Sequence, residues 1–178
     1  MSAPTFTPIT QAVFNELAER KRAFEAEFAE LNEQGTAAIR EAESKLNALE
    51  DKLIAARLEV DRESRQFPHT SAYREAVLDA EYLAKQLGRP IALAKLEVLR
   101  AKLRRAENMR NAAIRYSYFV SSRIAEFDPP PGTSYVIGRE LGTQRENYLD
   151  NATYLEQTWR AFARRLDNEV EEMADRLY

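Results

Sequence analysis

Residues 39–67 read IREAESKLNALEDKLIAARLEVDRESRQF, and this stretch decides the fold class. Ile39, Leu46, Leu53, Val60 and Phe67 recur every seven residues, and Ala42, Leu49 and Ala56 follow the first three of them by three. Alternating steps of three and four line apolar side chains along one seam of an α-helix, the pattern of a helix that pairs with another helix. No Gly or Pro interrupts the stretch, and Pro68 ends it.

Toward the N-terminus the periodicity continues through Phe14, Leu17, Phe24, Phe28, Leu31, Gly35, Ala38 and Ala42, broken only by Lys21. The two frames meet at Leu31, Gly35 and Ile39, two successive steps of four, which is a stutter that locally unwinds a supercoil. Gly35-Thr36 also admits a stop and restart. The periodicity survives it, however, and no capping-box acid follows Thr36, so helix 1 is taken as continuous over residues 10–66. Thr7 or Thr10 would cap it, and residues 1–9, with Ala3-Pro4-Thr5-Phe6-Thr7-Pro8, form an extended arm.

Toward the C-terminus, Pro and Gly punctuate the chain. After Phe67-Pro68-His69, Thr70 or Ser71 caps helix 2, residues 71–87, whose stripe is Tyr73, Val77, Ala80, Ala84 and Leu87. Gly88-Arg89-Pro90 is read as a stop and restart or a sharp kink, with helix 3 over residues 90–127. That helix carries Leu96, Leu99, Leu103, Ala106, Ala113, Val120, Ile124 and Phe127 on one face and Ile91, Val98, Ala112 and Phe119 on another, so it should touch two neighbours. Residues 128–142 form a Pro-rich loop in which Tyr135-Val136-Ile137 is strand-like. Thr143-Gln144-Arg145-Glu146 then opens helix 4 over 143–178 as a capping box.

Composition agrees. Ala, Glu, Lys, Leu and Arg make up 93 of 178 residues, the bias of long helices, and five Gly leave little turn chemistry for a sheet. Helix 1 would be roughly 85 Å long, and helices 2 and 3 together about the same. The expected fold is therefore all-α: an elongated antiparallel long-helix bundle forming a single helical domain, three helices thick at one end and a two-helix coiled-coil hairpin at the other.

Chemistry is sparse. With no Cys and one His, the chain has no thiol nucleophile, no Cys- or His-pair metal site and no Glu-x-x-His motif of a di-metal bundle. His69 sits in a turn where capping suffices to explain it. Glu41 with Glu43, and Glu171 with Glu172, lie on charge-dense helices and read as solvated faces. Gly132-Thr133-Ser134 with Gly138 lacks the Lys and spacing of a phosphate loop. The chain is expected to be no enzyme and to need no cofactor or metal.

Charge is the sharpest signal. Residues 85–123 hold ten basic and two acidic side chains, whereas the rest of the chain holds 16 basic and 27 acidic ones. Two readings compete: internal pairing of a basic helix with acidic neighbours, and a face for phosphate or an acidic partner, for which Arg104, Arg105 and Arg115 fall away from the seam. Pairing is preferred. Leu58, Tyr82 and Leu83 beside the hairpin seam, and Tyr135, Val136 and Ile137 in the loop, are the remaining partner-binding candidates.

The function expected is that of a structural or adaptor subunit in a multi-subunit assembly, cellular or a viral particle, working through coiled-coil and loop contacts as a homo-oligomer or with other proteins. A nucleic-acid-binding or regulatory inhibitor protein using helix 85–123 is the alternative, and a membrane-curvature dimeric module is third, disfavoured by a net charge of −3. No signal peptide or membrane span is expected, which points to the cytoplasm or the interior of a particle.

Overall fold

In a computed structural model, residues 11–66, 70–124 and 132–177 are described. They form three α-helices, α1 (Gln11–Gln66), α2 (Ser71–Ile124) and α3 (Tyr135–Asp175), with no strand among the described residues. The fold is all-α. The chain divides into two compact units, Met1–Gln34 with Arg105–Arg165, and Gly35–Arg104 with Leu166–Tyr178.

The first unit is a three-helix packing. Phe14, Leu17 and Phe24 of α1 meet Ala112, Tyr116, Val120 and Ile124 of α2 and Ala152 of α3 in one buried cluster. Small Ala112 and Ala113 leave room for large rings. Tyr116 stacks on Phe24 with centroids 4.4 Å apart and planes at 12°, and Phe28 continues the aromatic row to Trp159, 5.6 Å away. Arg20 and Arg123 lie over the ring of Phe119, at 5.6 and 5.7 Å. Both apolar faces expected on this part of α2 are thus occupied, one through Val120 and Ile124 and the other through Ala112 and Phe119.

The second unit pairs α1 with α2 and adds the last turns of α3. Ile39, Leu96, Val98 and Leu166 are its buried residues. The heptad positions Leu46, Leu49, Leu53, Ala56 and Val60 and their counterparts Tyr73, Val77, Ala80, Ala84 and Leu87 are only half-buried. Two helices alone can cover no more than a narrow seam.

Continuity of α1 through Gly35 agrees with the stutter reading. The division at Gly88-Arg89-Pro90 into helices 71–87 and 90–127 does not hold, because α2 runs through Pro90 without ending. Pro90 and Gln86 are both exposed, so the Gln86 carbonyl that loses its amide partner faces water. Seam packing before the proline, through Leu87, and after it, through Leu96 and Val98, outweighs the roughly 3 kcal/mol of local cost. Residues 125–127 lie outside the described residues.

The boundary of the last helix also moves. α3 begins at Tyr135, eight residues before the expected 143, so Tyr135-Val136-Ile137 is a helical turn and not a strand. Ser134 is its cap: its side-chain oxygen accepts from the Ile137 amide at 3.4 Å, and its carbonyl accepts from the Gly138 amide at 2.9 Å. Gly138 and Gly142, within the stretch expected to be loop, lie inside the helix, since an interior Gly costs only about 1 kcal/mol, which the packing of Leu141 and Leu149 on the core offsets. The box at Thr143 is unused, and its hydroxyl donates to the Arg139 carbonyl within the helix. Gly132, at φ +84°, turns the chain in the left-handed region before the cap. The arm 1–9, the Phe67-Pro68-His69 turn and Pro129–Pro131 lie outside the described residues.

The Tyr116 hydroxyl is buried and no group among the described residues hydrogen-bonds to it. Burial, helped by Tyr148 and Glu25, pushes its pKa up to about 12. The folded chain therefore holds this proton where the unfolded chain releases it, so stability is full below about pH 10 and falls between about pH 10 and 12. Tyr116→Phe should leave stability at pH 7 unchanged or slightly raised and should remove that part of the alkaline loss. Tyr116→Ala should cost about 3–5 kcal/mol. Urea titrations of the three proteins at pH 7, 10 and 11.5 would check both.

Candidate functional site

The basic segment comes first, because its charge made it the strongest sequence signal. In the first unit Arg123 pairs with Glu16 at 2.7 Å and Arg115 pairs with Glu27, both across from α2 to α1. Arg105 donates through Nε to the Asn32 side-chain oxygen at 3.0 Å, and its guanidinium lies 6.0 Å from the centre of the Trp159 ring. In the second unit Lys102 reaches Glu43 at 3.8 Å and Lys95 reaches Glu50 at 3.0 Å. Within each unit the acid positions rise along α1 as the basic positions fall along α2, which is antiparallel register.

Internal pairing is therefore what Arg105 and Arg115 do. Arg104 differs: it is exposed and makes no ion pair or hydrogen bond among the described residues. It edges an alanine-floored groove of about 290 Å³ formed by Ala38, Ala42, Ala94 and Ala101 with Glu41, Lys45 and Glu97. Lys45 donates to Glu41 at 2.7 Å, and that hydrogen bond holds the Glu41 carboxyl below its usual range. Two carboxylates, Glu41 and Glu97, line the same groove and oppose a phosphate there. Within the first unit Arg105 and Arg115 are held by different α1 residues, Asn32 and Glu27. Lys85 and Arg89, like Arg104, have no partner among the described residues, and both are exposed.

The apolar candidates behave differently from one another. Leu58 and Tyr82 are 62% and 63% exposed. Leu83 is half-buried on the seam side and is a weaker candidate. Sequence reading missed Ile54 and Leu78, which are 51% and 64% exposed. Each sits four residues from a recognised one, so Ile54 with Leu58 and Leu78 with Tyr82 form two apolar pairs, one on each helix, outside the heptad positions. The available signal was a large aliphatic residue off the seam, which periodicity counts as noise. Tyr135, Val136 and Ile137 are exposed on the first turn of α3, where they present a helical rather than an extended edge.

Among the described residues no group of three potential metal ligands converges, and no helix is long and apolar enough to cross a membrane. In the first unit a cavity of about 450 Å³ lies against Phe24, Phe28, Met109 and Trp159, with Asn151 and the exposed Lys21–Glu25 pair, 3.7 Å apart, at its edge. No family model matches the chain, and no curated protein or solved structure matches it either.

The different surroundings of the adjacent arginines can be measured. Arg105→Ala removes two hydrogen bonds to Asn32 and a cation–π contact and should destabilise the fold by about 1–2 kcal/mol. Arg104→Ala should change stability by less than about 0.5 kcal/mol. Equal losses in chemical denaturation would contradict the assignment of Arg105 to internal packing.

Proposed function

We propose that this chain is a non-enzymatic helical scaffold, a structural or adaptor subunit that works inside a multi-protein assembly. The observation that carries this reading is the hairpin of the second unit. No described residue from 40 to 95 is fully buried, yet Ile54, Leu58, Leu78 and Tyr82 stand out on its helices with large apolar side chains. Exposed apolar residues scattered singly are ordinary, but helix-spaced pairs on both helices of a thin element are what a partner helix covers.

The nucleic-acid reading is weaker. It needs many free cations on one face, and Arg105, Arg115, Arg123, Lys95 and Lys102 are engaged within their own units, which leaves Lys85, Arg89 and Arg104 without a partner among the described residues. Tyr118, exposed beside them, is a lone ring rather than a stacking platform. The cell compartment or particle in which the scaffold acts belongs to the same proposal and follows from the partner.

The test is the native mass of the complex recovered with the tagged chain. A defined stoichiometric assembly is expected, and Leu58→Glu with Tyr82→Glu should dissolve it while leaving helicity unchanged, since both positions are exposed. A chain that is monomeric and partnerless at native concentration would overturn the scaffold. Salt-dependent, submicromolar binding to DNA or RNA near 150 mM salt, where screening reaches about 8 Å, would replace it with the nucleic-acid reading.

A further inference from the structure

The outward face of α2 in the second unit carries an ordered stripe. Ser71, Glu75, Leu78, Tyr82, Lys85 and Arg89 are spaced by four, three, four, three and four residues, and all six are exposed. The seam toward α1 is formed by Tyr73, Val77, Ala80, Ala84 and Leu87, so the stripe lies on the opposite side of the helix. Steps of three and four are those of a second coiled-coil seam on a helix that already has one.

The stripe is also palindromic about position 80. Turned end for end on a second copy, Leu78 meets Tyr82, Glu75 meets Lys85, and Ser71 meets Arg89. A two-fold contact needs this property, because each residue of an isologous interface meets the symmetry mate of its own counterpart. Neither Glu75 nor Lys85 nor Arg89 has a partner within the described residues. We infer that the partner of this face is a second copy of the chain, with the two α2 helices antiparallel and Leu78 and Tyr82 at the centre between two Glu75–Lys85 pairs.

The same operation fails on the outer face of α1. There, two-fold pairing of Ile54 with Leu58 brings Asp51 against Asp61. Laying the α1 face on the α2 face matches one end only: one direction sets Asp51 against Lys85 but Asp61 against Glu75, and the other sets Asp61 against Lys85 but Asp51 against Glu75 and Arg65 against Arg89. Only α2 on α2 matches charge at both ends of the apolar centre. Asp79 and Glu81 flank that centre and face their own mates across the axis. This opposes the contact and limits its strength, giving a dimer that depends on the Glu75–Lys85 pairs rather than on apolar area alone.

The inference deepens the scaffold reading and rests on it. Charge exchange tests it without disturbing the core, because Glu75 and Lys85 are exposed. Sedimentation equilibrium of the full chain should show a reversible dimer. Glu75→Lys alone and Lys85→Glu alone should each weaken it about tenfold, since two attractive pairs become two repulsive ones. The double exchange should restore it. Mixing the two single variants should give a one-to-one heterodimer tighter than either homodimer, which a merely structural role for these residues does not produce. Because the chain has no Cys, Leu78→Cys mixed with Tyr82→Cys offers an independent readout, and the mixed disulfide should form faster than either self-disulfide.

A dimer indifferent to both exchanges would overturn this face while leaving the scaffold intact, as would a monomer that nonetheless enters a larger stoichiometric assembly. A monomer at about 100 μM, where any micromolar dimer is populated, with no assembly recovered, would overturn both.

Discussion

Two paired helices can hide only the strip along which they touch, and the second unit is built under that constraint. Its heptad residues, from Leu46 to Val60 on α1 and from Tyr73 to Leu87 on α2, stay half-open to solvent even where the pairing is regular. A core of that width contributes little burial per residue against an entropy cost of about 1–2 kcal/mol for each ordered backbone position. Helix propensity supplies part of the balance, hence the weight of Ala, Glu, Leu and Arg. Among the described residues of this unit only Ile39, Leu96, Val98 and Leu166 are buried. The first unit answers the same constraint differently, by bringing three helices around Phe24 and Tyr116.

Electrostatics in both units select the neighbouring helix more than they add stability. The α1–α2 pairs are substantially exposed, with Arg115 and Arg123 side chains about half accessible and their glutamates little less so. Such pairs contribute on the order of 0–1 kcal/mol each and are screened by salt. Every one of them sets an α2 base against an α1 acid, and a one-heptad slip would still set Glu43 against Lys95, so the pairs favour a basic α2 beside an acidic α1 more than they fix one register. This also explains why the basic segment resembled a binding surface in one dimension. Clustered cations on one helix have the same composition whether their partners are phosphates or the glutamates of a neighbouring helix.

Period was legible in the sequence and local interruption was not. The seams through Leu46 and Leu53, through Tyr73 and Val77, and through Val120 and Ile124 are where the three-four spacing put them. Pro90, Gly138 and Gly142 were read as boundaries because each carries a local cost, but the gain on the other side lies in contacts far away in sequence, which a window of neighbours does not contain. Ser134 was recognisable only as one of several capping residues near Gly132. The apolar pairs showed the opposite failure. Leu58 and Tyr82 drew attention singly, whereas Ile54 and Leu78, which turn them into pairs, had been absorbed into the general hydrophobicity of the helices.

The two outer faces of the hairpin differ in what their symmetry permits, and that difference bears on how a scaffold grows. A self-complementary face closes at two copies, because the contact consumes the same surface on both. A face that matches only a different surface leaves a free end and continues into a ring or a filament. The Leu78–Tyr82 stripe, charge-matched about position 80, is of the first kind. The Ile54–Leu58 pair, bounded by Asp51 and Asp61, repels its own mate and is of neither kind with this chain alone. A helix bearing bases at both ends of an apolar centre would fit it. In a dimer closed through α2, two copies of that α1 face remain open, so the sites left for an unlike protein come in pairs and are related by the same two-fold axis.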